Sequence, residues 1–270
     1  MKLSVLMSIY HKEKAEYLNR AMQSIWDNQT IKPSEIVLVE DGKLTDELYE
    51  SIKLWREKLG DSLKSISLEQ NVGLGDALNI GLQSCSYEMV ARMDTDDIAH
   101  PQRFEKQLKV FTNNNIDICG SWVSEFVEDE KNIVSFRKVP QSHMEIVAFA
   151  KKRNPINHPA VMYKKSMLEN AGGYKKMIWF EDYYLWIRMI LNGAKFSNIQ
   201  EALVNMRAGY GQLERRSGFK YAIEEYKFQK EIFSLRFISR KELVQNITIR
   251  FLSRIVPKFL VKKIYKFLRA

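Results

Sequence analysis

The chain has 270 residues, 45% hydrophobic and 28% charged, with 42 Lys and Arg against 33 Asp and Glu. That length carries a full core of one or two domains, and that composition excludes a disordered, collagen-like or disulfide-stapled chain. Its two cysteines, Cys85 and Cys119, sit in no Cys-x-x-Cys or Cys/His cluster, which argues against a structural zinc site and fits a reducing cytoplasm.

The net charge of +9 is localised. Ten Lys and Arg lie between Arg236 and Ala270 against one acid, Glu242, so the first 235 residues are neutral with 32 side chains of each sign. A basic isoelectric point therefore describes the tail and not the main domain.

The apolar run Leu3 to Tyr10 is too short for a signal segment or a membrane span and reads as a first strand. Tyr17 to Asn28 places Leu18, Met22 and Ile25 at helical spacing, and Glu35 to Val39 follows as a strand apolar on both faces. Leu63 to Leu68 reads as a third strand, Leu74 to Ser84 as a helix and Met89 to Met93 as a fourth strand. Pro101 to Phe111 opens with a proline suited to a first helical turn. Cys119 to Met162 is mixed, with strands and a short helix. Helices are expected at Lys165 to Ala171, at Asp182 to Leu191 before the Gly193 stop signal, and at Phe219 to Phe233. The alternation through the first 120 residues is that of an open α/β sheet, whose ligands bind where strand carboxyl ends meet at a switch point. Ser8 and Tyr10, then Asp41 and Gly42, then Asn71, then Asp94, Asp96 and Asp97 all stand at such ends.

Asp94-Thr95-Asp96-Asp97 packs three carboxylates into four residues after an apolar strand. Such charges repel unless donors or a cation offset them, and a hard divalent ion with oxygen ligands would do so; a solvated acidic turn capping the next helix is the competing reading. Asp41, before Gly42, could accept hydrogen bonds from a base or ribose, or merely end its strand in an Asx turn. Asn71-Val72-Gly73-Leu74-Gly75 allows close backbone approach to an anion at a helix start. Leu78 replaces the third glycine of a dinucleotide fingerprint, and the junction is not the first βα turn, which weakens a hydride-transfer reading. Glu181 and Asp182 follow bulky apolar residues at a helix start, as a tuned base requires, or as an ordinary N-cap does. His158 lies in a loop between Pro155 and Pro159, either as a surface residue or as a contact to metal or phosphate. No serine-nucleophile elbow and no zinc-protease motif is present.

Taken in order, SVLMSIY, EIVLVEDG, NVGLGDALNIG, ARMDTDDIAHPQRFEKQ, NHPAVMYKKSMLENAGGY and FEDYYLWIRM resemble glycosyltransferase family 2, over residues 3 to about 190. The flavour is that of short, non-processive bacterial enzymes building O-antigen, capsule or exopolysaccharide repeat units. The resemblance implies a GT-A fold: an α/β, Rossmann-like, mixed and mainly parallel sheet flanked by helices, with a helical C-terminal extension. It implies residues 1–118 as the nucleotide-sugar half, 119–218 as the acceptor half of the same domain and 219–270 as the basic extension. By the same resemblance Ser8, Tyr10 and Asp41 hold a uracil base, Asn71 and Gly73 line the nucleotide pocket with Arg92 beside it, and Asp94 and Asp96 form the DxD, Asp94 near the ribose and Asp96 on Mn²⁺ or Mg²⁺. Asp182 takes the part of catalytic base with Glu181 orienting the acceptor or the base. His158, Trp179, Arg188, Arg207 and Arg215, with Arg216, are candidates for acceptor or diphosphate. The expected activity is inverting transfer of a hexose from UDP-glucose or UDP-galactose to a saccharide on undecaprenyl diphosphate. Two departures stand out: Tyr184 replaces a frequent further acid, and the processive Q-x-x-R-W motif is absent.

The tail residues Phe251, Leu252, Ile255, Val256, Phe259, Leu260, Ile264, Phe267 and Leu268 recur at helical spacing among basic residues, with Pro257 as an interruption. This amphipathic pattern suits the inner face of an anionic bacterial plasma membrane, or else a helix packed on the domain or a dimer contact. Nucleic-acid binding finds no supporting motif. Two other classes compete: a sugar nucleotidyltransferase, which calls for a glycine-rich basic loop after the first strand where Tyr10-His11-Lys12-Glu13 stands, and a non-catalytic membrane-associated binder of sugar nucleotides.

Overall fold

Apolar residues that alternate faces along β1 set the two layers of the core. The computed structural model describes residues 1–208 and 218–255, with side chains to residue 250. β1 (Leu3–Ile9), α1 (Ala15–Ile25), β2 (Glu35–Glu40), α2 (Asp46–Leu59), β3 (Leu63–Ser67), α3 (Leu74–Ser84) and β4 (Met89–Arg92) alternate in the first part. There follow β5 (Ile98–Ala99), α4 (Arg103–Asn113), β6 (Ile118–Phe126), β7 (Ile133–Arg137), α5 (His143–Ala150), β8 (Met162–Lys164), α6 (Lys165–Asn170), α7 (Glu181–Leu191) and β9 (Phe196–Arg207). Then come α8 (Phe219–Ser234) and α9 (Arg240–Ile255).

Among the described residues the strands form one mixed sheet in the order β3-β2-β1-β4-β8-β6-β9-β5, with β7 also paired to β6. β3, β2, β1 and β4 are mutually parallel, whereas β8 runs antiparallel to both β4 and β6. The α/β architecture flanked by helices, with helices following it, is the one the motifs imply. Leu3, Val5, Met7 and Ile9 of β1 pack with Leu18 and Met22 of α1, Leu48 and Ile52 of α2, and Phe104 of α4. Leu6 faces the other way, with Val37 and Val39, onto Ala77, Leu78 and Leu82 of α3 and Trp186 of α7. Fully burying each such side chain stabilises by ~1.5–3 kcal/mol, which is why strands covered on both faces read as continuous apolar runs. α3 lies close on the sheet because Gly81 carries no side chain; a Cβ there would meet Leu6 at 2.5 Å and Val39 at 2.6 Å.

Three differences from the expected elements have local causes. α1 runs from Ala15 to Ile25, earlier than the pattern Tyr17 to Asn28. α2 is absent from the expected elements although its signals are in the chain: the Thr45 hydroxyl accepts the Leu48 N–H, Asp46 and Glu47 fill the first turn, and Leu48, Ile52, Trp55 and Leu59 are buried at helical spacing. β9 is the third, its centre polar and its pairing to β6 shifted around Ser121, Trp122 and Val123, which blurs any period-two pattern.

By contacts the chain divides into two units. The first takes Met1–Lys176 with Glu181–Ala208, and the second takes Met177–Phe180 with the two C-terminal helices. In the second unit Phe180 stacks on Phe228 with centroids 4.8 Å apart, Trp179 lies 5.2 Å from Tyr221, and Arg250 of α9 pairs with Glu225 of α8. Ser239 and Glu242 cap the start of α9 reciprocally, each binding the other's backbone N–H. The expected tail helix beyond Ile255, with Pro257 and the apolar series that follows it, lies outside the described residues.

Candidate active site

Because β1 to β4 are parallel, Tyr10, Asp41, Asn71 and Asp94 leave the sheet along one edge. β1 lies between β2 and β4, so the order reverses beside it and the switch point falls there, next to Tyr10 and Asp94. Tyr10 is exposed, and Ser8 is half-buried one pleat earlier.

Arg92, the last residue of β4, is buried and grips Asp94 with both terminal nitrogens. Burial pulls its guanidinium down, but the Asp94 carboxylate and the bonds to it more than offset this and hold Arg92 firmly charged. Beneath it lies a second buried arginine, Arg103 of α4, which donates to the Arg92 carbonyl at 2.7 Å and to Gln107 Oε1 at 3.1 Å. Burial, then the charge of Arg92, lowers Arg103 to about 9.

Asp94, Asp96 and Asp97 each present an oxygen within 4.8 Å of the others. Burial, then Asp94 and Glu13, pushes the Asp96 carboxyl up to about 7. Burial, then Asp94 and Asp96, raises Asp97 well above the usual carboxylate range. Asp97 Oδ1 accepts the Arg207 backbone N–H at 2.8 Å, while Oδ2 has no hydrogen-bond partner. Such mutual repulsion marks negative charge that the protein's own donors leave uncompensated, and an all-oxygen carboxylate set suits a hard divalent cation. The residues thus fit one metal ion.

Asp41 is buried at the end of β2. Its oxygens accept from Val72 N at 2.7 Å, Gly73 N at 3.1 Å and Asn71 Nδ2 at 3.0 Å. Asp41 thereby clamps the 71–73 turn against the sheet edge. Gly42 admits that turn: its φ is +84° and a Cβ would lie 2.7 Å from Asn71 N. Gly73, with φ +91°, then starts α3.

Glu181 and Asp182 begin α7. Burial, then the charges of Asp182 and Asp76, raises the half-buried Glu181. Asp182 Oδ2 accepts Asn154 Nδ2 at 2.7 Å, and Oδ1 accepts the Tyr183 N–H at 2.7 Å. Tyr174 lies on the turn between α6 and α7, and Asn79 of α3 holds its backbone on both sides, at 2.7 Å and 2.8 Å. Burial raises the Tyr174 hydroxyl, and the charge of Arg92 opposes the rise.

His158 is half-buried and partnered: its Nε2 lies 2.8 Å from Tyr174 Oη, its ring meets Trp186 edge-on at 6.0 Å, and burial, then Arg92, lowers its pKa. Arg188 is buried and donates to the carbonyls of Ala171 and Gly173, the latter at 2.6 Å, so it pins the turn before Tyr174. Arg207 ends β9 and is not in a loop; its guanidinium lies over Tyr17 at 3.8 Å and Phe126 at 4.6 Å, and Nε donates to the Asp96 carbonyl at 3.3 Å. Trp179 belongs to the second unit and has a left-handed φ of 67°. Arg215 and Arg216 lie outside the described residues. Sequence reasoning assigned no role to Glu13, Asn79, Asn154 or Tyr174, none of which carries a local signal, and it placed Asp97 only within the acidic run.

Residues 4–171 match the family described as Glycosyl transferase family 2. The chain is 41% identical to an Escherichia coli UDP-Gal:alpha-D-GlcNAc-diphosphoundecaprenol beta-1,3-galactosyltransferase, over 98% of this chain and 95% of that one. It is 36% identical to the amylovoran biosynthesis glycosyltransferase AmsE of Erwinia amylovora, over 98% and 97%. In fold it is similar to S. aureus TarS 1-349 in complex with UDP-GlcNAc, with a TM-score of 0.68, 20% identity, and 94% of this chain and 72% of that one covered. With a family match across most of the sheet and relatives aligned nearly end to end, the chain belongs to glycosyl transferase family 2 and is a glycosyltransferase.

Proposed function

We propose that this glycosyltransferase moves a hexose, with inversion, from UDP-galactose or UDP-glucose to a hydroxyl of a saccharide carried on undecaprenyl diphosphate, in building a bacterial surface polysaccharide. The observation that carries the reading is the cluster of Asp94, Asp96 and Asp97 at the switch point, each presenting an oxygen within 4.8 Å of the others, as a cation-bound diphosphate would need. The name of the E. coli relative supports a UDP-galactose donor and a lipid-diphosphate acceptor.

In this reading Tyr10 and Ser8 take the base, the turn clamped by Asp41 approaches the nucleotide through Asn71 and Gly73, and Asp94 and Asp96 reach the ribose and the diphosphate. Mn²⁺ or Mg²⁺ held by Asp96 and Asp94 would neutralise charge growing on the leaving diphosphate. Asp182 accepts the proton of the acceptor hydroxyl as its oxygen bonds to C1 and the bond from C1 to the diphosphate oxygen breaks; UDP departs with that electron pair. Attack opposite the leaving group inverts C1. Glu181, whose carboxyl burial raises, stands beside Asp182 to orient the acceptor or the base.

No described helix is long and apolar enough to cross a membrane. Peripheral binding to an anionic inner membrane face is supported by α8, where Phe219, Ile223 and Tyr226 are exposed at helical spacing among Lys220, Lys227 and Lys230, and by the basic tail.

The test is a screen of donor turnover over nucleotide sugars with and without Mn²⁺, repeated on Asp96→Ala and Asp182→Asn. The expected result is turnover of a UDP-hexose that chelator and both substitutions abolish. Full turnover in chelator, or in Asp182→Asn, overturns the assignment.

A further inference from the structure

A catalytic carboxylate has to be held as well as placed, and Asp182 is held from a distant part of the chain. Asn154, 28 residues earlier, donates Nδ2 to Asp182 Oδ2 at 2.7 Å. The amide has a defined sense, because Asn154 Oδ1 accepts the Ile156 N–H at 3.3 Å in an Asx turn, leaving the NH₂ end toward the carboxylate.

The segment that carries Asn154 is itself tied down. Asn198 of β9 donates to the Pro155 carbonyl at 3.2 Å and to the Pro140 carbonyl at 2.6 Å. Asn157 donates to the carbonyls of Ser121, at 2.9 Å, and Arg137, at 3.2 Å. His158 meets Tyr174, and Gln107 of α4 donates to the Ala160 carbonyl at 2.9 Å. Gly120 of β6 leaves the space that Asn198 occupies. Asn154 therefore hangs on a frame anchored to β6, β7, β9 and α4, elements independent of the helix that bears Asp182. Tyr184, on that helix, instead lays its ring under Arg188 at 4.7 Å.

We propose that Asn154 is a positioning residue for this glycosyltransferase: by binding one oxygen of Asp182 it fixes the plane of the carboxylate toward the acceptor hydroxyl. The inference rests on the reading of Asp182 as the base. Among the described residues, Glu181 on its own helix and Tyr174 on the preceding turn are titratable groups coupled to it, and Asp76 on α3 acts on Glu181.

Asn154→Asp separates this role from a merely structural one, because it keeps the Oδ1 acceptor of the Asx turn while replacing the amide donor by an oxygen that bears a like charge beside Asp182. Asn154→Leu removes both. The full chain is assayed for transfer from UDP-galactose or UDP-glucose, whichever the wild type uses, to GlcNAc-diphosphoundecaprenol, and UDP binding is measured alongside in Mn²⁺. In Asn154→Asp, kcat is expected to fall roughly 10- to 100-fold, the scale of a misaligned reacting group, with donor KM and UDP affinity unchanged. The acidic limb of the kcat profile moves to higher pH, because the carboxylate loses a donor that favours its charged form and gains a like charge. Wild-type kcat and an unmoved limb overturn the proposal, as does loss of UDP affinity in parallel with kcat. Asp182→Asn is run beside them: if it retains turnover, the reading of the base fails, whereas an inactive Asp182→Asn with a wild-type-like Asn154→Asp sinks the positioning role alone.

Discussion

Arg92 and Asp94 form a two-pronged ion pair in which the guanidinium is buried and the carboxylate about a third exposed. The pair ties the end of β4 to the start of the acidic run, so positive charge sits under the site before any ligand arrives. Replacing Arg92 by Met leaves Asp94 beside Asp96 and Asp97 with its nearest cation gone. Unfolding by urea should show a loss of about 2–3 kcal/mol, at the low end for a broken buried pair because Asp94 is partly solvated, and transfer should fall below detection.

The Asp96 carboxyl is raised to about 7, against an unfolded value of about 3.9. Between these values the folded protein binds the proton that the unfolded chain has lost, so metal-free stability falls as pH rises from about 4 to about 7 and stays reduced above that. Saturating Mn²⁺ should remove this slope and raise the melting temperature at pH 7.5 far more than at pH 5. Thermal melts across pH with and without metal check it, and Asp96→Asn should flatten the metal-free profile.

Gly42 has a φ of +84° and no room for a Cβ beside Asn71 N. Gly42→Ala should destabilise by about 1–3 kcal/mol through backbone strain, and it should displace the turn that Asp41 clamps. Steady-state kinetics should show a raised donor KM with a smaller change in kcat.

Gln107 donates to the carbonyls of Cys119, at 3.0 Å, and Ala160, at 2.9 Å, and accepts from Arg103 Nε. Gln107→Leu preserves approximate volume but leaves buried polar atoms without partners, so denaturant unfolding should register a loss of about 2–4 kcal/mol. Because α4 then holds the Arg92 carbonyl less firmly, kcat should fall as well.

How much was legible in the chain follows from the range of each interaction. β1, β2, β4 and α3 announced themselves because a strand covered on both faces needs a largely apolar run and a packed helix needs its 3.6-residue spacing, both local properties. α2 carried its cap and stripe openly and was simply not read, while β9, polar and bulged, owes its place to pairing with β6 along a register no local pattern encodes.

The carboxylates at strand ends were likewise determined by the chain alone, since a parallel sheet delivers every strand's exit to one edge. What only the tertiary structure decided is which groups satisfy them: Asp41 bound to Val72 and Gly73, Asp97 to the backbone of Arg207, Asp182 to Asn154, and Arg188 turned onto the carbonyls before Tyr174. A buried polar atom takes whichever partner the packing brings within about 3 Å, and in a sheet whose chain order is shuffled that partner is set by topology and not by its neighbours in the chain.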